Sequence, residues 1–172
     1  MAGRRSEARR YAVLALYQWH VSKQTPAEIA GHFFDDTAWM EAIADGMREG
    51  QEDATGAAAT TSKPPRPYDH QLFNNLLRGV PEHADEIDEA LRENLDRSLQ
   101  SLDPVERSIL RIGTYELLYS LELPVRVVIN EAVELAKAFG AEQGHRYVNA
   151  VLDRVAHRAR AAELAPPMKR SR

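Results

Sequence analysis

The chain has 172 residues, of which 44% are hydrophobic and 28% are charged, and it contains no cysteine. The absence of cysteine excludes a disulfide framework, thiolate chemistry and a zinc ribbon. The length fits one domain around a single sizeable core, and no apolar run approaches the roughly 18 residues of a membrane span. Because the N-terminal arginines lead into an amphipathic pattern and not into the apolar core of a signal peptide, we expect a cytoplasmic protein.

The formal net charge of −4 is unevenly distributed along the chain. Residues 1–24 carry five Lys or Arg against one Glu, and residues 143–172 carry seven against two acidic residues. The middle of the chain therefore carries a net charge of −13. Basic ends around an acidic body indicate two partners of opposite charge, and the alternative is a solvated charged surface without a partner.

The first predicted helix runs from about Ser6 to Val21 and follows a cluster of four arginines, Arg4, Arg5, Arg9 and Arg10. Guanidinium groups bind phosphates bidentately and stack on unpaired bases, which is typical of RNA binding. Cations near a helix N-terminus oppose the helix dipole, so helix stability does not account for them. We expect that replacing all four would weaken RNA binding without lowering stability. The alternative is a solvated helix start.

The core stripe of this helix is predicted to be Val13, Leu16, Tyr17 and His20.

A capping box in the stretch Thr25-Pro-Ala-Glu28 predicts a second helix, which ends at Phe33 or Phe34. A third helix is expected from Asp36 or Thr37 to Gly50. Residues 50–66 are rich in small residues, threonine and proline, so they present no face for packing. They are interpreted as a flexible insertion loop.

Order is expected to resume at Tyr68, and two helices are predicted before residue 98. The first carries an apolar stripe of Leu72, Phe73, Leu76, Leu77 and Val80. The second is expected from Glu82 to about Arg97, with Ile87, Leu91 and Leu95 four residues apart. Its acidic residues are interpreted as a solvated face, or as a docking surface for a basic protein: Asp85, Glu86, Asp88 and Glu89.

The clearest helix start is the stretch Leu102-Asp-Pro-Val-Glu106, in which the aspartate accepts from free amides and the glutamate reaches back. This helix is expected to stop near Leu123-Pro124. The next runs from Val125 to Phe139, with Gly140 as its C-cap. The last spans about Glu142 to Ala162, with Val148, Val151, Leu152 and Val155 facing inward. The pattern predicts an all-α domain of about seven helices over residues 1–165, followed by a basic tail at 166–172.

Four motifs occur in order along the chain: RRSEARRYAVLALYQW, LDPVERSILRIGTYELL, VINEAVELAKAFG and AEQGHRYVNAVLD. With these motifs the chain resembles the NusB family of transcription antitermination proteins, over the ordered parts of residues 4–155. The resemblance implies a single-domain helical bundle in two subdomains. It also implies binding of the single-stranded boxA RNA of ribosomal RNA leaders, together with NusE, a small-subunit ribosomal protein. The complex would join the elongating RNA polymerase, and some members of the family form homodimers.

The resemblance places the four arginines in the family's N-terminal arginine-rich motif, and it places Tyr17 and Glu106 at or near the NusE surface. The capping role of Glu106 is an alternative explanation for that residue. A second candidate RNA patch lies at the start of the last helix, where Tyr147 offers a stacking face and Asn149 can pair with a base edge beside Arg146. Packing between helices is the alternative for Tyr147.

No catalytic residue, cofactor or metal site is predicted. Asn130, Glu131 and Glu134 could suggest acid/base or metal chemistry, but no histidine completes a metal site and the helix dipole favours acidic residues there. A structural homodimer remains an alternative function. So does a stand-alone RNA-binding module related to the front domain of ribosomal RNA cytosine methyltransferases. Such an enzyme would need a following α/β domain and a catalytic cysteine, and the chain has no cysteine.

Overall fold

The structure is a computed structural model that describes residues 3–35, 66–139 and 143–166. All regular structure in these ranges is helical, so the prediction of an all-α fold is confirmed. The chain divides into two compact units, Met1–Pro81 and Glu82–Arg172. The helices are α1 (Arg4–Val21), α2 (Pro26–Asp35), α3 (His70–Glu82), α4 (Ala84–Arg92), a 3-10 helix (Leu99–Ser101), α5 (Pro104–Tyr119), α6 (Val125–Phe139), α7 (Gly144–Ala159) and α8 (Ala161–Leu164).

Helix α1 is buried around most of its circumference between Glu7 and Leu16. Its predicted stripe is therefore only partly right: Val13 and Leu16 are buried, Tyr17 is half-buried and His20 is exposed. Small residues allow this burial, because the alanines at 8, 12 and 15 let neighbouring segments approach closely. Because this helix is enclosed on several sides, its buried residues do not follow one narrow stripe.

Helix α2 begins with the predicted capping box, which is confirmed. The amide of Thr25 donates to Glu28 Oε2 at 2.7 Å, and the amide of Glu28 donates to Thr25 Oγ1 at 3.3 Å. The hydrogen bonds that the Glu28 carboxylate accepts from the Thr25 amide and from the Thr25 hydroxyl, the latter at 2.9 Å, lower the pKa of the Glu28 carboxyl. The predicted helix from Asp36 or Thr37 to Gly50 lies outside the described residues.

All five residues of the predicted apolar stripe in α3 are buried, as expected from their spacing: Leu72, Phe73, Leu76, Leu77 and Val80. The start of α3 is fixed by Asp69, whose carboxylate accepts a hydrogen bond from the amide of Leu72 at 3.0 Å. Aromatic rings join this helix to the rest of its unit. The ring centroids of Tyr68 and Tyr11 are 4.8 Å apart, and those of Phe73 and Phe33 are 5.2 Å apart.

In the second unit, α4 ends at Arg92, so the predicted end at Arg97 is wrong. The side-chain amide of Asn94 donates to the carbonyl of Ala90 at 2.8 Å, which gives this carbonyl at the helix end a partner as the chain turns away.

The prediction that the acidic face of α4 is solvated is also wrong at one position. Asp88 is half-buried and accepts two hydrogen bonds of 2.9 Å from Arg111 of α5, whereas the other three acidic residues are exposed.

Helix α5 starts where predicted, and the predicted roles of Asp103 and Pro104 at its start are confirmed. The carboxylate of Asp103 accepts from the amides of Val105 and Glu106 at 2.8 and 3.3 Å, with Pro104 as the first helical residue. Gly113 lies where α5 meets α7, because an added Cβ would stand 2.6 Å from Leu152 Cδ1. Only glycine fits this close approach without displacing a neighbour.

Helix α6 has the predicted bounds, while α7 is shorter than predicted and is separated from α8 by Arg160. The four predicted inward residues of α7 are all buried: Val148, Val151, Leu152 and Val155. Gly140 lies outside the described residues, as do positions 167–172 of the tail. In the described ranges, no helix has both the length and the apolar character needed to span a bilayer.

Arg160 binds the end of α5 and the segment that joins α5 to α6. Its guanidinium donates to the carbonyls of Leu117 at 2.8 Å and of Glu116 and Ser120 at 2.9 Å, and also to the carbonyl of Leu123. A cation thus satisfies the carboxyl end of α5. Glu163 complements it, because its carboxylate accepts the amide of Val125 at the start of α6 at 2.9 Å.

Candidate nucleic-acid interface

The first candidate surface is the arginine cluster at the start of α1. Arg4 and Arg5 lie in the first helical turn and are exposed. Arg4 Nη2 donates to the carbonyl of Tyr68 at 3.4 Å, and the amide of Asp69 donates to the Arg4 carbonyl at 3.0 Å. Arg5 lies 4.0 Å from the Asp69 carboxylate. The basic helix start is therefore attached to the segment that leads into α3.

Glu7 organises the other side of this cluster. Its carboxylate is 3% exposed and lies 3.8 Å from Arg10 and 3.3 Å from Arg66. Arg66 is 58% exposed, and its amide donates to the Tyr11 hydroxyl at 3.2 Å. Burial raises the pKa of Tyr11, so this hydroxyl stays protonated. A buried anion thus holds two partly exposed guanidinium groups in the same unit as Arg4 and Arg5.

Arg66 was missed by the sequence prediction, which placed it at the end of the flexible loop 50–66. The described structure begins again at this residue, and the remainder of the predicted loop lies outside the described residues. The available signal was a cation between two prolines, two residues before Tyr68, where apolar periodicity resumes. Its partner Glu7 lies 59 residues away in the sequence, so no local pattern indicates the pair.

Arg9 differs from the other predicted arginines, because it is only 2% exposed. It lies on the enclosed face of α1, between the buried residues Ala8 and Tyr11 along the chain. For Arg9 we therefore expect removal to lower stability, in contrast to the sequence-based prediction for all four arginines. A buried guanidinium contributes to the packing of its unit and is inaccessible to a phosphate in this arrangement.

The second candidate surface is at the start of α7, in the second unit. Tyr147 is half-buried, and its hydroxyl donates to Asp96 Oδ1 at 3.0 Å. The guanidinium carbon of Arg97 lies over the Tyr147 ring, 4.5 Å from its centroid. Arg146 and Asn149 are exposed on the same helix. Neither Asp96 nor Arg97 was among the predicted residues, because they lie about 50 positions earlier in the sequence.

Glu106 belongs to the same neighbourhood. Its Oε1 lies 3.8 Å from the position of a Cβ added at Gly144, the first residue of α7. Burial, reinforced by the charge of Asp103, raises the pKa of the Glu106 carboxyl. The structure therefore brings a predicted protein-contact residue next to the first residue of the helix that carries Arg146, Tyr147 and Asn149. In the described residues no hydrogen bond runs from the Asp103 amide back to Glu106, so Asp103 alone caps α5.

A family model described as the NusB family matches residues 6–157. The chain belongs to the NusB family. It is 45% identical to the transcription antitermination protein NusB of Nitrosococcus oceani, over 95% of this chain and 92% of that protein. It is 41% identical to the protein of the same name from Pasteurella multocida, over 88% of each. The resemblance inferred from the four motifs is thus confirmed.

Two solved structures of NusB proteins share the fold. One is NusB of T. maritima, with a TM-score of 0.57 and 30% identity over 92% of this chain and 96% of that one. The other is a complex of NusB and NusE with double-stranded RNA, with a TM-score of 0.60 and 22% identity over 89% and 96%. At that identity the second likeness supports the NusB fold alone.

In this NusB-family chain the structure also places the predicted protein-contact residues and the acidic residues of α6. Tyr17 lies in the first unit and is half-buried, while Glu106 lies in the second. Glu134 is exposed and pairs with Lys137 one turn later at 3.1 Å. Within residues 3–35, 66–139 and 143–166, no group of three or more histidine, aspartate or glutamate side chains is placed to hold a metal ion.

Proposed function

We propose that this chain is a non-enzymatic transcription antitermination factor of the cytoplasm. In this proposal it binds the single-stranded boxA RNA of ribosomal RNA leaders together with NusE and joins the elongating RNA polymerase, without a cofactor. The observation that carries the proposal is the arginine cluster, which is fixed to folded structure within a chain of net charge −4. Arginine side chains that are fixed in one place on an acidic protein favour a polyanionic ligand.

We assign RNA contacts in the first unit to Arg4, Arg5, Arg10 and Arg66. Arg9 is left out because it is buried. Each exposed guanidinium can bind a phosphate bidentately or stack on an unpaired base. Arg146, Tyr147 and Asn149 supply a second set of contacts in the other unit, two of them exposed polar groups.

The test is a fluorescence anisotropy titration of boxA-like single-stranded RNA at several salt concentrations. For single strands, log affinity falls with log salt at about −0.7 per neutralised phosphate, so four contacts give a slope of about −3. The Arg4→Ala/Arg5→Ala variant should flatten that slope by about 1.4. The matched control is Lys23→Ala/Arg78→Ala, which removes two exposed cations from the same unit.

Equal effects of the two double variants would refute the assignment of the arginine cluster. An RNA of the same sequence annealed to its complement supplies a second arm. Tighter binding of the duplex would show that the ligand is not a single strand.

For the protein partner, we propose that NusE contacts Tyr17 and Glu106. Glu106 is half-buried, and its carboxylate offers an anion to a basic ribosomal protein. A pull-down with NusE should lose the complex with Glu106→Lys and keep it with Glu134→Lys, an exposed control on α6. Retention of the complex by a folded Glu106→Lys variant would place the contact elsewhere.

A further inference from the structure

A group of aromatic rings lies at the surface of the second unit, where α4 starts and α5 ends. The imidazole of His83 stacks on the ring of Tyr119, with ring centroids 4.2 Å apart and planes inclined by 27°. Tyr115, one turn earlier on α5, has its centroid 5.2 Å from that of Tyr119 and 6.2 Å from that of His83. The Tyr119 hydroxyl donates to Glu86 Oε2, which fixes the orientation of this ring. We call these four side chains the aromatic–acidic cluster.

The aromatic–acidic cluster is partly open to solvent. Tyr119 is 37% exposed, and Glu86 is exposed beside it. His83 and Tyr115 are half-buried, so they support the outer ring. Leu121, two residues after Tyr119, is 69% exposed and adds a further large apolar side chain. Exposed apolar groups bordered by charge are typical of an interaction site.

The charge around the cluster is negative. Residues 82–91 contain five acidic residues and residues 112–125 contain two, and neither stretch contains a lysine or an arginine. Two cations reach these stretches from outside, and both are already bound. Arg111 pairs with Asp88 at 2.9 Å, and the buried Arg160 donates to backbone carbonyls at the end of α5. The remaining carboxylates give this surface a negative potential.

Tyr115 shows that several of these carboxylates act on the cluster together. Burial raises the pKa of the Tyr115 hydroxyl, and the negative charges of Glu82, Glu116 and Glu122 raise it further. Glu82 precedes α4, whereas Glu122 follows α5, so the negative charge comes from both segments that form the cluster. An aromatic face in such a field attracts a cation.

We propose that the aromatic–acidic cluster is a docking site for an arginine side chain of a basic protein. A guanidinium can stack on the Tyr119 ring and donate hydrogen bonds to Glu86 at the same time. Among the described residues, no donor other than Tyr119 binds the Glu86 carboxylate, so its second oxygen can accept from the partner. Arginine fits better than lysine, because an ammonium group has no plane to stack. A polyanion such as RNA is repelled by the same charges.

The cluster is separate from the residue of α5 that we assign to NusE. Tyr119 follows Glu106 by 13 residues on the same helix. At 1.5 Å per residue this corresponds to about 20 Å along the helix axis. The proposed function therefore does not depend on the cluster, and a second basic protein can occupy it while NusE is bound.

The experiment is a fluorescence anisotropy titration of the full chain with two labelled peptides. One alternates glycine with arginine, and the other has lysine in place of each arginine. We expect the wild type to bind the arginine peptide roughly two- to five-fold more tightly than the lysine peptide. Tyr119→Leu should lose this preference although its net charge is unchanged, whereas Tyr119→Phe should keep it because the ring remains.

Charge is tested separately with Glu86→Gln and with Glu134→Gln, which removes an exposed carboxylate from α6. We expect Glu86→Gln to weaken binding of both peptides more than Glu134→Gln does. Equal weakening by these two variants would refute the site, since any acidic surface would then serve. Equal binding of the two peptides by the wild type, or an arginine preference that survives in Tyr119→Leu, would refute it as well.

Two further measurements decide which partner occupies the cluster. A pull-down with NusE should succeed with Tyr119→Leu, and its failure would make the cluster part of the NusE surface. Sedimentation velocity should give the same mass for the wild type and Tyr119→Leu. A wild-type dimer that Tyr119→Leu abolishes would identify a second copy of the chain as the occupant and overturn the proposal. None of these measurements uses RNA, so failure of RNA binding would refute the proposed function alone.

Discussion

Replacement of Arg160 by methionine should destabilise the second unit by several kcal/mol. The Arg160 side chain is 4% exposed, and its guanidinium donates to four carbonyls between α5 and α6. Two of these acceptors keep a backbone partner in the variant, because Glu116 also accepts from the amide of Ser120 and Ser120 accepts from the amide of Leu123. Among the described residues, Leu117 and Leu123 depend on Arg160 alone.

An acceptor left without its partner costs about 1–3 kcal/mol, so the two carbonyls give about 2–6 kcal/mol. Loss of a cation from the carboxyl end of α5 adds up to about 1 kcal/mol. We therefore expect a loss of about 4 kcal/mol, which is a large part of the roughly 5–15 kcal/mol that stabilises an ordinary domain. The lysine variant should be intermediate, since one ammonium group lacks the reach and the fork of a guanidinium.

The assay is urea unfolding followed by far-ultraviolet circular dichroism, with Arg158→Met as the matched control. Arg158 lies two residues earlier and forms an exposed ion pair of 2.8 Å with Glu93, which is expected to contribute less than about 1 kcal/mol. Similar losses for Arg160→Met and Arg158→Met would refute the reasoning, since they would show that water replaces the guanidinium at no cost.

Three further predictions follow from named contacts. Glu106→Lys should retain the thermal stability of the wild type to within about 1 kcal/mol, because Asp103 caps α5 without it; a large loss of stability would restore the capping role of Glu106. Gly113→Ala should destabilise by about 1–3 kcal/mol, because its Cβ would stand 2.6 Å from the buried Leu152, whereas Gly31→Ala has open space and should stabilise α2; a stabilised Gly113→Ala would contradict the close packing. The pKa of Glu163 is lowered by the hydrogen bond from the first amide of α6. The contribution of this carboxylate to folding stability is therefore present above its ordinary pKa of 4.5 and disappears as pH falls below the pKa in the folded protein. Glu163→Gln should thus cost stability at pH 7 but not at pH 2, and an equal cost at both would show that its charge is irrelevant.

Apolar periodicity predicted the core of the chain well where a helix packs one face. The stripe of α3 and the inward residues of α7 needed only the 3.6-residue repeat, and the caps at Thr25 and Asp103 needed only local chemistry. Helix α1 was harder, because alanines permit burial on several faces and hide the limits of the stripe.

The polar contacts could not be predicted, because their partners are distant in the sequence. Arg111 meets Asp88 from 23 positions away, and Arg66 meets Glu7 from 59 positions away. The same limitation explains Arg9, which is chemically identical to Arg10 but points into the core from the neighbouring helical position. Composition locates a basic segment, whereas only the packing decides which of its cations reach solvent.

The burial of Glu7 has a consequence for how RNA would be released. Dissolved ions weaken attractions between exposed charges, but they screen much less an anion that water scarcely reaches. Raising the ionic strength should therefore detach phosphates from the surface while Arg10 and Arg66 stay attached to Glu7. Elution with concentrated salt would then return a protein whose binding surface is still assembled, and which can rebind RNA as soon as the salt is diluted.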